Sequence, residues 1–206
     1  MTSPTTLSPE PTVSAAAALA DIHAQVIWNR LVAVVEEQAR TLMKTAFSAV
    51  VRESGDLSAG VFNTRGQMIA QAITGTPGHV NTMAEAVPHF LKQFPTTTMA
   101  PGDHFVTNDP WLASGHLHDL TVVSPAFRDG QVIALFACTC HQLDIGGRGQ
   151  GPDGKSVYEE GLFIPIMQLA RGGMMNDVLL EIIRHNVRTP YEVEGDIHSY
   201  VASNET

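Results

Sequence analysis

The sequence predicts an α+β fold of mixed helices and antiparallel hairpins. Three observations carry this. Apolar residues recur at three- and four-residue steps from Asp21 to about Phe47, the period of an amphipathic helix. Two apolar, β-branched runs flank Asp129-Gly130, a strong short-range hairpin signal. Strand-like and helix-like segments then follow one another without the regular alternation of a doubly wound sheet.

Taken in order, residues 1–20 are rich in Ser, Thr and Pro and read as a flexible arm ahead of one domain over residues 21–206. Asp21 is expected to cap the first helix, whose apolar stripe includes Val26, Leu31, Val35 and Leu42. "SGDLSAGVFNTRGQMIAQA" reads as a hairpin turning at Asn63–Gly66. "GTPGHVNTM" reads as a loop, with His79 an exposed loop residue. A helix capped by Asn81 follows, with Pro88 inside its pattern. "PGDHFVTNDP" gives a turn, a short strand and another turn, with Asn108 and Asp109 as turn formers. The Asp129-Gly130 hairpin comes next. "GLFIPIMQL" is expected as a strand, and "MMNDVLLEIIRHNV" as a helix started by Asn176 or Asp177 and ended by Pro190 at the latest.

With 206 residues, 44% of them hydrophobic and 16% charged, the chain can bury a globular core. A net charge of -9 repels phosphate backbones and argues against a nucleic-acid partner. No apolar run reaches the ~18 residues that span a bilayer. The first residues lack the basic start and apolar centre of a secretory signal. Cys138 and Cys140, two apart on a strand, point the same way and are poorly placed to bridge. They read as buried, reduced thiols of a cytoplasmic protein.

"DIGGRGQGPDGKS" tempts a nucleotide reading, because Gly149 to Ser156 satisfies G-x-x-x-x-G-K-[ST]. A phosphate loop must join a buried strand directly to a helix. Here the last strand-like residue is near Cys140, and Gly161 and Pro165 leave room for at most a turn or two of helix. The stretch reads as a surface loop.

The chemistry-bearing residues lie just upstream. "ASGHLHDLTVV" carries His116, His118 and Asp119, and "CTCHQLDIGG" carries His141 and Asp144. A two-residue turn at Asp129-Gly130 would set His118 opposite His141 and Asp119 opposite Cys140. A one-residue shift would pair Asp119 with His141 and exchange the faces. In either register two His-and-Asp clusters meet at the open end of one hairpin. Imidazole and carboxylate are the ligand types of zinc, manganese and iron(II). His23, His89, His104, His185 and His198 have no such company and read as structural.

"GDHFVTNDPWLASGHLHDLTVVSPAF", "HQLDIGG", "YEEGLFIPIMQL" and "HNVRTP" together resemble the hydantoinase B/oxoprolinase family. "VIWNRLVAVVEEQARTLMKTAFS" and "GDLSAGVFNTRGQMIAQA" resemble its opening helix and hairpin, so the likeness covers about residues 21–200 in the family's order. It implies the N-terminal part of the B-type fold. It also implies a divalent metal (Zn, Mn or Fe) held by His116, Asp119 and His141, with Asp144 and Asp56 as proton-transfer groups or partners of a second ion. His118 falls where relatives vary. The implied function is catalysis within an ATP-dependent cyclic-amide hydrolase acting on a small molecule, with ATP used by an A-type partner subunit. An acetone or acetophenone carboxylase-like subunit and a non-catalytic scaffold are the alternatives. Family members are usually more than twice this long, which implies a further chain carrying the rest of the B-type fold.

Overall fold

A computed structural model describes residues 15–149, 151 and 153–206. Most of the expected arm, residues 1–14, lies outside the described residues. Residues 15–20, expected in that arm, are helical: α1 runs Ala15–Thr45. The alanines before Asp21 are the best helix formers, so the helix continues through Asp21 instead of starting there. Ser48 caps a short helix α2 (Ala49–Ser54) by accepting from the Val51 N–H. The first hairpin is β1 (Leu57–Phe62) and β2 (Met68–Gln71). Asn63 makes its turn, its Oδ1 accepting from the N–H groups of Arg65 and Gln67 at 3.0 Å each.

Helix α3 spans Pro77–Gln93, four residues earlier than Asn81, with Thr76 at its N-cap and Pro77 in its first turn. Proline there costs nothing, since its missing N–H has no intrahelical partner. Pro88 sits inside α3, where proline costs about 3 kcal/mol. Burial of Met83, Ala86, Val87 and Phe90 on the same helix offsets that cost.

Then follow β3 (His104–Thr107), β4 (Asp119–Arg128), β5 (Gln131–His141), a four-residue turn of helix α4 (Val157–Glu160), β6 (Met167–Arg171), β7 (Met174–Met175), α5 (Asp177–Asn186) and α6 (Pro190–Asn204). Only the end of "GLFIPIMQL" pairs in the sheet. Asn176 caps α5 by accepting from the Leu179 N–H at 3.1 Å. Helix α6 has no counterpart in the sequence reading. Its buried face mixes Val193, Ile197 and Tyr200 with Gly195, Asp196, Ser199 and Asn204, so no apolar stripe announces it.

Among the described residues seven strands form one sheet in the order β2-β1-β5-β4-β3-β6-β7, every pairing antiparallel. This is the expected α+β class. Helices α1 and α6 cover one face, against Leu57, Val61, Leu120, Val122 and Cys140. Helix α3 covers the other, against Phe62, Phe105, Val123 and Leu135.

The central hairpin reconciles the two registers that the sequence leaves open. Next to the turn, Arg128 faces Gln131 and Phe127 faces Val132, as a two-residue turn requires. Asp129 and Gly130 have φ of +50° and +76°, the left-handed pair such a turn needs. A β-bulge then intervenes. Ala126 faces Ala134, and Ile133 is left without a partner. Beyond it Leu120 faces Cys140 and Asp119 faces His141. The same bulge lets Val132 and Leu135 both serve the α3 side of the core.

Deleting Ile133 is expected to keep every pair on both sides of the bulge. Urea unfolding should stay cooperative, with a loss below about 2 kcal/mol. Deleting Ala137 instead displaces the following residues of β5 between β1 and β4 and is expected to abolish cooperative unfolding. Equal damage from the two deletions would show that the bulge does not set the register.

Candidate metal centre

Three adjacent strands lay the site out as one row. Leu57 and Leu120 both face Cys140. One step on, Asp119 faces His141, and the His141 N–H donates to the Asp56 carbonyl at 3.1 Å. Asp56, His141 and Asp119 therefore stand side by side. Leu120 and Cys140 point towards α1 and α6, so the alternation of the pleat turns this row to the α3 side.

Asp119 is the centre and is 1% exposed. His141 Nδ1 lies 2.8 Å from its Oδ1. His116 Nε2 and His79 Nε2 lie 2.8 Å and 2.9 Å from its Oδ2. Asp56 stands at the rim, its side chain 35% exposed, 3.7 Å from His79 Nε2 and 4.0 Å from His141 Nδ1. Its Oδ1 accepts from Thr76 Oγ1 at 2.7 Å. His118 is buried, with its ring centroid 5.9 Å from that of His116 and 5.5 Å from that of His141.

His116 sits in the loop between β3 and β4, and buried polar bonds fix that loop. Asn108, fully buried, donates from Nδ2 to the carbonyls of Leu117 (2.8 Å) and Leu162 (2.9 Å) and accepts from the Ile164 N–H at 2.6 Å. The Leu117 N–H donates to Glu160 at 3.1 Å. The Gln142 N–H donates to the His118 carbonyl at 2.6 Å, and its side chain donates to the Tyr200 hydroxyl. Asp109 is a turn former as expected, accepting from the Trp111 and Leu112 N–H groups. Asn108 does more than end a strand, because it ties three segments together.

Burial works to raise the Asp119 pKa. Hydrogen bonding from His116, His141 and His79 outweighs it and holds the carboxyl well below its ordinary range. Hydrogen bonding to Asp119 raises His116, against the opposing effect of burial. His118 is lowered, first by burial and then by the neighbouring His141 and His116.

The sequence-expected residues separate into two groups. The structure brings together His116, Asp119, His141 and Asp56. Asp144 goes elsewhere. Its Oδ1 accepts from the Gly146 N–H (2.9 Å) and from Arg188 Nη1 (2.7 Å), and its Oδ2 accepts from the Arg188 N–H. With both oxygens taken, Asp144 braces the "DIGG" loop against the linker before α6, and no bond joins it to the imidazoles. His79, expected as an exposed loop residue, is buried in the cluster. A signal for it exists in the sequence: it lies four residues before Met83 and eleven before Phe90, on the buried stripe of α3. Cys138 and Cys140 are free and buried, as expected.

The glycine-rich stretch keeps no phosphate-loop context. β5 ends at His141 and α4 has four residues. Gly147, at φ +58°, permits close approach instead. A Cβ there would lie 2.5 Å from the backbone of Glu159 to Gly161.

His116, Asp119 and His141 offer ligand atoms that all lie within 4.8 Å of one another. A buried, ionised carboxylate with two imidazoles is a donor set that fits a divalent cation such as zinc, manganese or iron(II). Among the described residues no helix is long and apolar enough to cross a membrane.

Fold and site define an α+β domain built around a buried carboxylate ringed by imidazoles. Residues 20–206 match the hydantoinase B/oxoprolinase family, and the chain belongs to it. It is 32% identical to the 5-oxoprolinase PfmaA of Pestalotiopsis fici over 82% of this chain and 13% of that protein. It is 30% identical to the caprolactamase subunit beta of Pseudomonas jessenii over 84% of this chain and 30% of that subunit. The crystal structure of the ATP-dependent caprolactamase from Pseudomonas jessenii superposes with a TM-score of 0.80, at 28% identity over 90% of this chain and 32% of that one. A nucleotide-free acetone carboxylase also superposes with a TM-score of 0.80, at 23% identity over 90% of this chain and 25% of that one, a likeness of fold. The chain thus spans a third or less of the length of these proteins.

The two shifts set opposite pH limits on the Asp119–His116 contact. Asp119 contributes fully above its unfolded value of about 3.9, and its contribution is lost as pH falls through the depressed folded value. His116 contributes fully below about 6.5, and its contribution is lost as pH rises through the raised folded value. Asp119→Asn, unfolded in urea with a chelator present, is therefore expected to lose most stability near about pH 5 and less near about pH 8. A loss of the same size at both would show that the contact is not ionic.

Proposed function

We propose that this chain is the metal-binding catalytic part of an ATP-dependent cyclic-amide hydrolase of hydantoinase/oxoprolinase type. The observation that carries the reading is the His116, Asp119 and His141 set, gathered at one end of a hairpin in a chain of this family. Relatives named as a 5-oxoprolinase and as a caprolactamase subunit support cyclic amides as the substrate class.

His116, Asp119 and His141 would hold a divalent cation, which would supply Lewis acidity towards an amide carbonyl. The chain's own residues do the rest. Asp119 stays ionised and supplies the buried negative charge. Asp56, at the exposed rim of the row, accepts the proton from the attacking water or joins the ligand set. Asn108 and Glu160 hold the loop that carries His116. Asp144 acts at a distance by bracing the loop that follows His141.

ATP is used by an A-type partner subunit, and the rest of the B-type fold completes the small-molecule site. A relative named as a subunit supports a multi-chain enzyme. Two buried free thiols fit a reducing, cytoplasmic setting.

Metal analysis of the purified chain tests the core of this reading. Near-stoichiometric zinc, manganese or iron is expected, with His116→Ala and His141→Ala each losing it. Reconstituted with its partner chains and ATP, the wild type is expected to open a cyclic amide, and Asp119→Ala to lose at least about a hundredfold in rate. Unchanged metal content in both histidine variants refutes the ligand assignment. Full activity of Asp119→Ala makes the chain a scaffold.

A further inference from the structure

His79 belongs to the cluster by position but not to the proposed ligand set. Its Nε2 lies 2.9 Å from Asp119 Oδ2 and 3.7 Å from Asp56 Oδ1, with the side chain 10% exposed. Its other ring nitrogen, Nδ1, is buried without a partner among the described residues. Among the described residues, the ring's polar contacts are therefore the two carboxylates. We propose that His79 is a positioning residue of the metal centre, holding the Asp119 carboxylate from the α3 side through Nε2–H. The inference rests on the reading that His116, Asp119 and His141 bind a cation.

Three features favour positioning over ligation. First, the ligand atoms that lie within 4.8 Å of one another come from His116, Asp119 and His141, and His79 is outside that set. Second, a nitrogen that ligates a cation carries no proton. Once His116 Nε2 and His141 Nδ1 turn to a metal, they cease to donate to Asp119. Of the three imidazoles now around that carboxylate, His79 alone keeps a hydrogen to give it. Third, the first turn of α3 addresses both carboxylates at once. The N-cap Thr76 hydroxyl donates to Asp56 at 2.7 Å, while His79 contacts Asp119. Met83, Val87 and Phe90 anchor that helix in the core, so the turn is rigidly placed. Its positive end faces the two negative groups.

A pair of carboxamides separates reach from chemistry. Glutamine presents an N–H about where the imidazole has Nε2, whereas asparagine stops short at the Nδ1 level. Zinc affinity of the full chain is read by competition with a chromophoric chelator, and the ligand set by the cobalt(II) absorption spectrum. His79→Asn is expected to weaken zinc about ten- to a hundredfold, and His79→Gln to stay within about threefold of wild type. The cobalt spectrum is expected to be the same in all three. If asparagine is not tolerated, as thermal unfolding will show, His79→Leu serves as the non-donor.

Wild-type affinity in the non-donor overturns the inference alone. So does a cobalt spectrum that loses a nitrogen ligand in that variant, which would make His79 a ligand. A wild-type chain that takes up neither zinc nor cobalt overturns the underlying reading and the inference with it.

Discussion

One buried negative charge organises this molecule. Asp119 is at the start of the central strand β4, almost wholly removed from water. Leaving a carboxylate unpaired in such a place costs several kcal/mol, roughly. The chain meets that demand from three directions: a loop brings His116, the neighbouring strand brings His141 and the far helix brings His79. Much of the surrounding polar structure keeps those three deliverers still. Asn108 ties the loop, Gln142 pins the strand end to α6, and Thr76 and the apolar stripe of α3 set the helix.

The fold class, the long first helix, both hairpins and α5 were legible because each rests on a local pattern. The pairing of Asp119 with His141 was legible only as one of two registers. Turn chemistry fixed the pairs beside Asp129-Gly130, but a bulge leaves no strong local mark. Ile133 is an ordinary strand residue whose lack of a partner depends on which neighbours need the α3 face. Helix α6 was illegible for another reason. Its buried side holds Asp196 and Asn204, whose hydrogen-bond partners are distant groups. Asp196 accepts from the N–H groups of Phe47 and Ser48, and Asn204 bonds Gln38 and Ser124. A polar residue whose partner lies far along the chain looks, in sequence, like a surface residue.

The site shows the same division. The juxtaposition of His116, Asp119 and His141 is legible because a turn signal joins their two clusters in one hairpin. Asp56 entered through family resemblance, and the sheet places it beside His141. Asp144 is three positions beyond His141 in sequence, yet the chain turns sharply there and Arg188 bonds both its oxygens. The opposite holds for His79. It is far from the other residues in sequence, and Asn81, a good capping residue, masks the true helix start at Pro77. Extending the apolar stripe of α3 backwards by one turn would have shown that it faces inwards.

The pleat of β5 has a consequence for which ions the proposed site would suit. Cys140 is the residue next to His141, yet its thiol faces α1 and α6 while the imidazole faces α3. Burial also pushes that thiol well above its ordinary pKa, so it resists becoming a thiolate. A soft donor one peptide bond away is thus barred by geometry and by protonation. The proposed ligand set would thus offer nitrogen and oxygen donors, which disfavour copper(I) and iron–sulfur assembly and suit the harder divalent ions.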